Sequence, residues 1–249
     1  MKTILITWLC FAWSTTVFSQ YTINMEVAPL NTVPNKYTAN QMGYVGAPKR
    51  VEKTSYGQTF VYHFHKDGRL QSIESPFYVK PSEYVYDSEN RLIKNITYSK
   101  NGASVSLFTT NDQGFLWTDD ITDASYKRYF EYNDSGLLCK VSEPEGLFTE
   151  YEYDSLGRVI KEIGNDYVNT YEYSKDRGFL KVTKTSKSKD YESAHNYYYN
   201  KQGVNVGNDK PGKPLDLPQS LVEVDATGNV TKITLGYGSV LEEAKFTYY

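Results

Sequence analysis

The sequence predicts an all-β protein of repeated antiparallel β-hairpins, forming a curled meander sheet or a partial shell. Three observations predict it. A nine-residue unit recurs eight times along the chain. The composition, with 24 Tyr, 11 Phe and 17 Gly in 249 residues, favours pleated surfaces and turns. Beyond the amino-terminal segment, no apolar run approaches the roughly 20 residues of a spanning helix. A hydrophobic content of 39% excludes disorder as the dominant state.

The unit reads aromatic, any residue, aromatic, Asp or Asn, two residues of any kind, Gly, often Arg, then Leu or Val. Its clearest copies are Tyr151-Glu152-Tyr153-Asp154-Ser155-Leu156-Gly157-Arg158-Val159 and Tyr84-Val85-Tyr86-Asp87-Ser88-Glu89-Asn90-Arg91-Leu92. Degenerate copies occupy residues 62–70, 108–116, 130–138, 171–180, 197–205 and 222–230, and 171–180 carries one extra residue before Gly178. The turn residues fall at 68, 90, 114, 136, 157, 178, 203 and 228, between 21 and 25 residues apart.

Each part of the unit has a physical reason. Aromatics at i and i+2 share one face of a strand, and Glu131, Glu152, Glu172 and Glu223 in the intervening position mark the other face as wet. The Asp or Asn side chain accepts from backbone amides two residues on, and Gly three positions later tolerates the left-handed conformation. That combination predicts a type I turn with a bulge. The Leu or Val that follows starts the returning strand. A hairpin is marginal alone, so the eight units must stack, and about sixteen strands exceed what one open twisted sheet holds without curling or splitting.

Connections between units run through Pro76, Asn101-Gly102, Pro144-Glu145-Gly146 and Gly164-Asn165. The longest, residues 209–219 with Pro211, Pro214 and Pro218, is expected to be a surface loop, since the repeat resumes beyond it. Residues 20–57 are expected to form an amino-terminal cap or tail, and residues 58–249 the repeat domain. Residues 244–249 read as a last strand closing the far end.

Residues 1–19 have the form of a signal peptide, with Lys2, an apolar stretch from position 4 to 13 and a small residue, Ser19, before the expected cleavage point. The protein is therefore expected to be exported, to the periplasm, the cell surface or the medium, without stable membrane insertion. One thiol, Cys139, remains after cleavage, so packing rather than disulfides must hold the fold. A net charge of −3 provides no basic excess for nucleic acid.

The pattern Tyr-x-Tyr-Asp-x-x-Gly-Arg-Val at 151–159 resembles the YD repeat of the RHS family, and the likeness extends over about residues 58–233. The resemblance implies stacked β-hairpins, placement outside the cytoplasm, and roles in binding sugars or proteins or in enclosing a toxin. This chain has too few repeats to enclose another domain, so it is most similar to short exported members. The fold follows more directly from the resemblance than the function does.

Candidate ligand-binding residues are the ladder tyrosines Tyr84, Tyr86, Tyr151, Tyr153, Tyr171 and Tyr173, together with Tyr197 and Tyr199, whose flat amphipathic rings suit sugar rings. The more economical alternative has these rings packing on one another between hairpins, which moves a binding face to Trp117, just beyond a turn, and to tyrosines outside the ladder. Arg91 and Arg158, with Arg69, have the chemistry to read an acidic polymer, although pairing with acids on the adjacent hairpin is the plainer expectation. Asp119, Asp120 and Asp123 lack the spacing of a calcium loop. His63, His65 and His195 lack a further ligand for zinc. Acid pairs such as Glu143 with Glu145 and Glu150 with Glu152 arise by chance among 30 acids. No catalytic constellation and no cofactor motif stands out. The expected function is a non-catalytic exported module that binds, or adheres to, envelope polysaccharide or protein. A structural or accessory subunit of an envelope assembly is the alternative, and a glycan hydrolase is less favoured.

Overall fold

The computed structural model describes residues 38–111, 116–121, 127–201, 203–213 and 216–249. The expected signal peptide, most of the expected cap and the turn residue Gly114 lie outside the described residues. A first strand, β1 (Pro48–Ser55), precedes the repeats. The eight units then form eight antiparallel hairpins. They are β2 (Gln58–Phe64) with β3 (Leu70–Glu74), β4 (Glu83–Tyr86) with β5 (Leu92–Ser99), β6 (Gly102–Thr110) with β7 (Leu116–Ile121), and β8 (Arg128–Tyr132) with β9 (Leu138–Ser142). There follow β10 (Phe148–Tyr153) with β11 (Val159–Gly164), β12 (Tyr167–Asp176) with β13 (Phe179–Ser188), β14 (Glu192–Tyr199) with β15 (Asn205–Asp209), and β16 (Ser220–Val224) with β17 (Val230–Leu235). The final strand is β18 (Val240–Tyr248).

The turn chemistry is local and repeats. At Asp154 the backbone amide donates to Arg158 O at 2.9 Å and Gly157 N returns to Asp154 O at 3.0 Å, with Gly157 at φ +74°. That is a type I turn closed by a bulge. The Asp154 carboxylate completes it, accepting from the amides of Leu156 and Arg158, each at 2.9 Å, and from Arg158 Nε at 2.7 Å. Asp87 makes the same set with Glu89 and Arg91, where Asn90 takes the left-handed position at φ +66°. Asn133, Asn200 and Asp225 cap their turns likewise. The hairpin at 171–180 differs. Its extra residue is absorbed by a two-residue turn, Arg177-Gly178, with both residues at positive φ, so β12 and β13 pair in unbroken register from Tyr167↔Ser188 to Asp176↔Phe179. The other seven hairpins carry a one-residue register shift just beyond the turn.

The hairpins do not form one ladder. Strands β4 to β15 make a twelve-stranded sheet, and β16, β17, β18, β1, β2 and β3 make a six-stranded one. The breaks fall at the Pro76 connection and at the 209–219 segment, whereas the Pro144 connection lies inside the twelve-stranded sheet. Strand β18 was expected to close the far end; it pairs instead with β1, from Pro48↔Tyr248 to Ser55↔Glu242, and so joins the two ends of the array. The motif-free segment before the repeats is thus a working part of the sheet. Its described residues also dock on turns, with Ala39 N donating to Gly68 O at 2.8 Å and Val45 N to Asn229 Oδ1 at 2.8 Å.

Packing follows the repeat. Val159, Tyr171, Val182 and Tyr199 form one buried cluster. Val51, Phe64, Leu70 and Ala244 form another across β1, β2, β3 and β18, and Tyr84 packs against it from the other sheet. Of the residues that follow a turn's Arg position, Leu70, Leu92, Leu138, Val159 and Val230 are buried, and Leu116, Leu180 and Asn205 are half-buried.

Desolvation pushes the Asp154 carboxyl up, but hydrogen bonds from Arg158 and Leu156 outweigh it and hold the group below the usual carboxylate range; Asp67 and Asp225 are also held low. Such groups stabilise the fold above the unfolded aspartate pKa of about 3.9, and that contribution is lost as pH falls through their lower folded values. Asp154→Ala leaves two amides and a guanidinium without their acceptor, and in urea denaturation at neutral pH it should cost roughly 1.5–3 kcal/mol. Asp154→Asn, which keeps one acceptor, should cost less and flatten the fall in stability below about pH 4.

Candidate functional site

The ladder tyrosines are placed between hairpins. In each of four hairpins the second aromatic of the unit donates its hydroxyl to the backbone carbonyl just past the preceding turn. The pairs are Tyr86 to Leu70 O at 2.7 Å, Tyr132 to Leu116 O at 2.7 Å, Tyr153 to Leu138 O at 2.5 Å and Tyr173 to Val159 O at 2.6 Å. Where the preceding unit has Arg at the turn, its guanidinium covers the same ring. Arg69 lies 4.7 Å from the Tyr86 centroid and Arg158 4.2 Å from that of Tyr173, within cation–π range. The arginines were expected to pair with acids on the adjacent hairpin. Arg158 pairs instead with Asp154 of its own turn at 2.6 Å, and Arg91 with Asp87 at 2.7 Å and Glu89 at 2.8 Å. The turn folds the acid and the base, four residues apart, onto one another, which leaves the flat face of Arg158 for the next hairpin's tyrosine.

The first aromatics are equally engaged. Tyr171, 3% exposed, donates to Glu162 Oε2 at 2.7 Å. Tyr151 packs on the cluster around Val159, and Tyr84 on that around Leu70. Tyr199 is buried, and its hydroxyl has no hydrogen-bond partner among the described residues. Asn205 lies near enough to influence its ionisation without meeting bonding geometry. Burial pushes the Tyr84 phenol up to about 12, and burial likewise pushes Tyr86, Tyr132, Tyr151, Tyr171, Tyr173 and Tyr199 well above the ordinary tyrosine value.

Trp117 is placed differently. It is 50% exposed, at the register shift of the third hairpin, and its ring meets that of Tyr129 edge to face at 6.4 Å and 74°. Tyr129 is 40% exposed, with Lys127 Nζ 5.5 Å from its ring centroid. Sequence reasoning did not single out Tyr129. The signal is its parity: it lies two residues before Glu131 on the wet face, where the fifth unit has Glu150. On that face the neighbouring hairpins carry ion pairs, Lys140 with Glu150 and Lys161 with Glu152, each at 2.9 Å.

The remaining candidates do not converge. His63 bonds Glu74 at 2.8 Å, and His195 lies against Tyr197. Among the described residues no three His, Cys, Asp or Glu side chains come together to hold a metal ion. The side chains of Asp119, Asp120 and Asp123 lie outside the described residues. Glu150 and Glu152 face Lys140 and Lys161, and Cys139, half-buried, is a free thiol whose pKa burial raises. No described helix is long and apolar enough to cross a membrane.

Residues 132–167 match the family model for the RHS repeat. No curated protein matches the chain. Among solved structures the chain is similar to the TcdB2-TccC3-Cdc42 structure, at 12% identity over 72% of this chain and 12% of that one, with a TM-score of 0.35. It is also similar to a Photorhabdus luminescens Tc holotoxin pore, at 11% identity over 74% and 13% of the two chains, with a TM-score of 0.31. A third, TcdB2-TccC3 without its hypervariable C-terminal region, gives 11% identity over 83% and 15%, with a TM-score of 0.30. The chain spans less than a sixth of the length of these proteins.

Because the ladder tyrosines are raised by burial, their neutral forms stabilise the fold fully below the unfolded tyrosine pKa of about 10, and that contribution is lost as pH rises toward their folded values. A spectrophotometric titration of the phenols, followed alongside the far-UV circular dichroism, checks this. The ladder tyrosines should ionise only together with alkaline unfolding. A single smooth titration of all phenols, with the fold intact, would contradict the packing.

Proposed function

We propose that this chain, with an RHS repeat at residues 132–167, is an exported, non-catalytic binding or adhesion module whose ligand is a carbohydrate polymer of the cell envelope. The observation that carries this reading is the exposed Trp117 and Tyr129 pair. A solvent-facing aromatic pair offers an apolar face to the C–H face of a sugar, while the tyrosine hydroxyl and indole N–H remain to bond its hydroxyl groups. The ladder rings are engaged between hairpins, which supports placing the contact on this pair rather than on Tyr84, Tyr86, Tyr151, Tyr153, Tyr171 or Tyr173. Arg91 and Arg158 are held by their own turns and act in this reading as part of the scaffold. Stacked hairpins give the pair a rigid base, so little ordering is needed on binding.

Trp117 is the sole tryptophan beyond residue 19, so its emission reports on the site directly in the exported form. Envelope polysaccharide should shift or quench that emission saturably. Trp117→Ala and Tyr129→Ala should each weaken retention about tenfold or more, a loss of about 1.4 kcal/mol, with thermal unfolding unchanged. Retention of an envelope protein in place of polysaccharide would assign the chain to an assembly instead. Absence of any polysaccharide binding at millimolar concentration would overturn the reading.

A further inference from the structure

We propose that a depression at the end of the sheet opposite the 157 turn binds a basic side chain, best an arginine, of a protein partner. This goes beyond the carbohydrate reading and uses different residues. The β9–β10 and β11–β12 connections flank a cavity of about 290 Å³, the lower end of small-molecule pocket sizes and room for one long side chain. Val141 and Leu147 give it an apolar lining, and Phe148 and Tyr167 add two aromatic rings.

Its neutral polar groups are engaged internally. Asn165 Oδ1 accepts from Phe148 N at 2.8 Å, and Asn165 Nδ2 donates to Gly146 O at 3.0 Å. The Tyr167 hydroxyl donates to Glu162 Oε1 at 2.7 Å, and Thr149 interacts with that same hydroxyl. The charged residues of the lining are Glu143 and Asp166, both exposed, and no salt bridge reaches either among the described residues. Two carboxylates above an aromatic and aliphatic lining complement a cation on an apolar stem. A sugar hydroxyl, which needs donors as well as acceptors, meets side-chain donors there that are already committed.

Guanidinium fits better than ammonium, because its plane stacks on a ring while its fork bonds carboxylate. The chain makes that same contact itself, with Arg158 paired to Asp154 and laid over Tyr173. Lys140 Nζ, held by Glu150, already lies 5.4 Å from the Phe148 centroid, so one ring of the lining carries a cation of the chain's own.

The test is an NMR titration of the full exported chain with N-acetyl-arginine amide, using N-acetyl-citrulline amide as the neutral isostere and glucosamine oligomers as a basic sugar. Arginine amide should shift the amides of residues 143–149 and 165–167 saturably in the millimolar range. Citrulline amide should not, and raising the salt concentration should weaken the arginine response in the unmodified chain. The double variant Glu143→Gln, Asp166→Asn changes two exposed side chains and should keep the rest of the spectrum while weakening binding at least fivefold. Equal binding of citrulline, salt-insensitive binding, or unchanged binding by the double variant would overturn the site. Tighter binding of the glucosamine oligomer than of arginine would overturn the protein partner. Loss of polysaccharide binding at Trp117 would leave every one of these outcomes unaffected.

Discussion

The structure depends on a backbone carbonyl that each of four hairpins offers to the next. Just past the turns of these hairpins the register shifts by a residue, which disrupts the ladder locally and leaves a carbonyl that needs a donor from elsewhere. The tyrosine of the next unit supplies it, reaching back 14 to 16 residues to Leu70, Leu116, Leu138 or Val159. A local irregularity of one hairpin thereby becomes the attachment point of its neighbour. Stacking is specific because a hydroxyl has to arrive at one oxygen, and directional because the donor always belongs to the later unit. The arginine strengthens the joint without crossing it as an ion pair: its charge is balanced inside its own turn, and its plane shields the tyrosine that arrives.

Departures from the unit fall where the joint is absent or replaced. Phe64, in the first unit, has no earlier hairpin to reach and no hydroxyl; its carbonyl instead accepts from Tyr249 Oη at 2.5 Å. In the last unit Asn229 stands at the arginine position. Its side chain bonds Val45 N and O and Tyr248 Oη, while Tyr248 Oη donates to Asp225 Oδ2 at 2.6 Å. A tyrosine from β18 thus takes the place on the turn carboxylate that arginine takes elsewhere, and the amide pairs with the chain's beginning as a strand neighbour would. The two ends of the array are held by the same groups that join its middle, rearranged. The two sheets meet by similar means, since Ser82 N donates to Ile73 O at 2.9 Å between β4 and β3, and Gln219 N to Val206 O at 2.6 Å between β16 and β15.

Much of this was legible in the sequence. The eight turns, the strand on each side of them and the wet intervening face follow from the spacing of Tyr, Asp, Gly and Leu, because all are short-range consequences of side-chain alternation and turn chemistry. The pairing of β1 with β18 was not legible. Its partners lie almost the whole chain apart, neither carries the motif, and only Asn229 in place of arginine marks the turn where the ends meet. The partner of Arg158 was within reach, since an Asx turn brings residues four apart together, but counting acids on neighbouring strands obscures it. Tyr129 was missed because it precedes the unit, where the search for repeats assigns no role.

The repeat fixes some positions and leaves others open. In most described hairpins the aromatic, Asx, Gly and Leu or Val positions are engaged in folding, so changes there alter stability before they alter recognition. Many positions between and before the aromatics face water, although Val61, Asn196 and Tyr198 are buried, and the exposed ones vary: Glu152 opposite Lys161 in the fifth hairpin, Val85 opposite Lys94 in the second, Tyr129 beside Trp117 at the junction of the third and fourth. Connections on the side away from the turns vary as well, and there Glu143 and Asp166 meet Phe148 and Tyr167. A scaffold whose joints are all internal can change its outward chemistry one hairpin at a time, because a substitution on the wet face touches no joint. In the reading proposed above, recognition resides in positions the repeat does not specify, where Trp117, Tyr129 and the two rim acids stand.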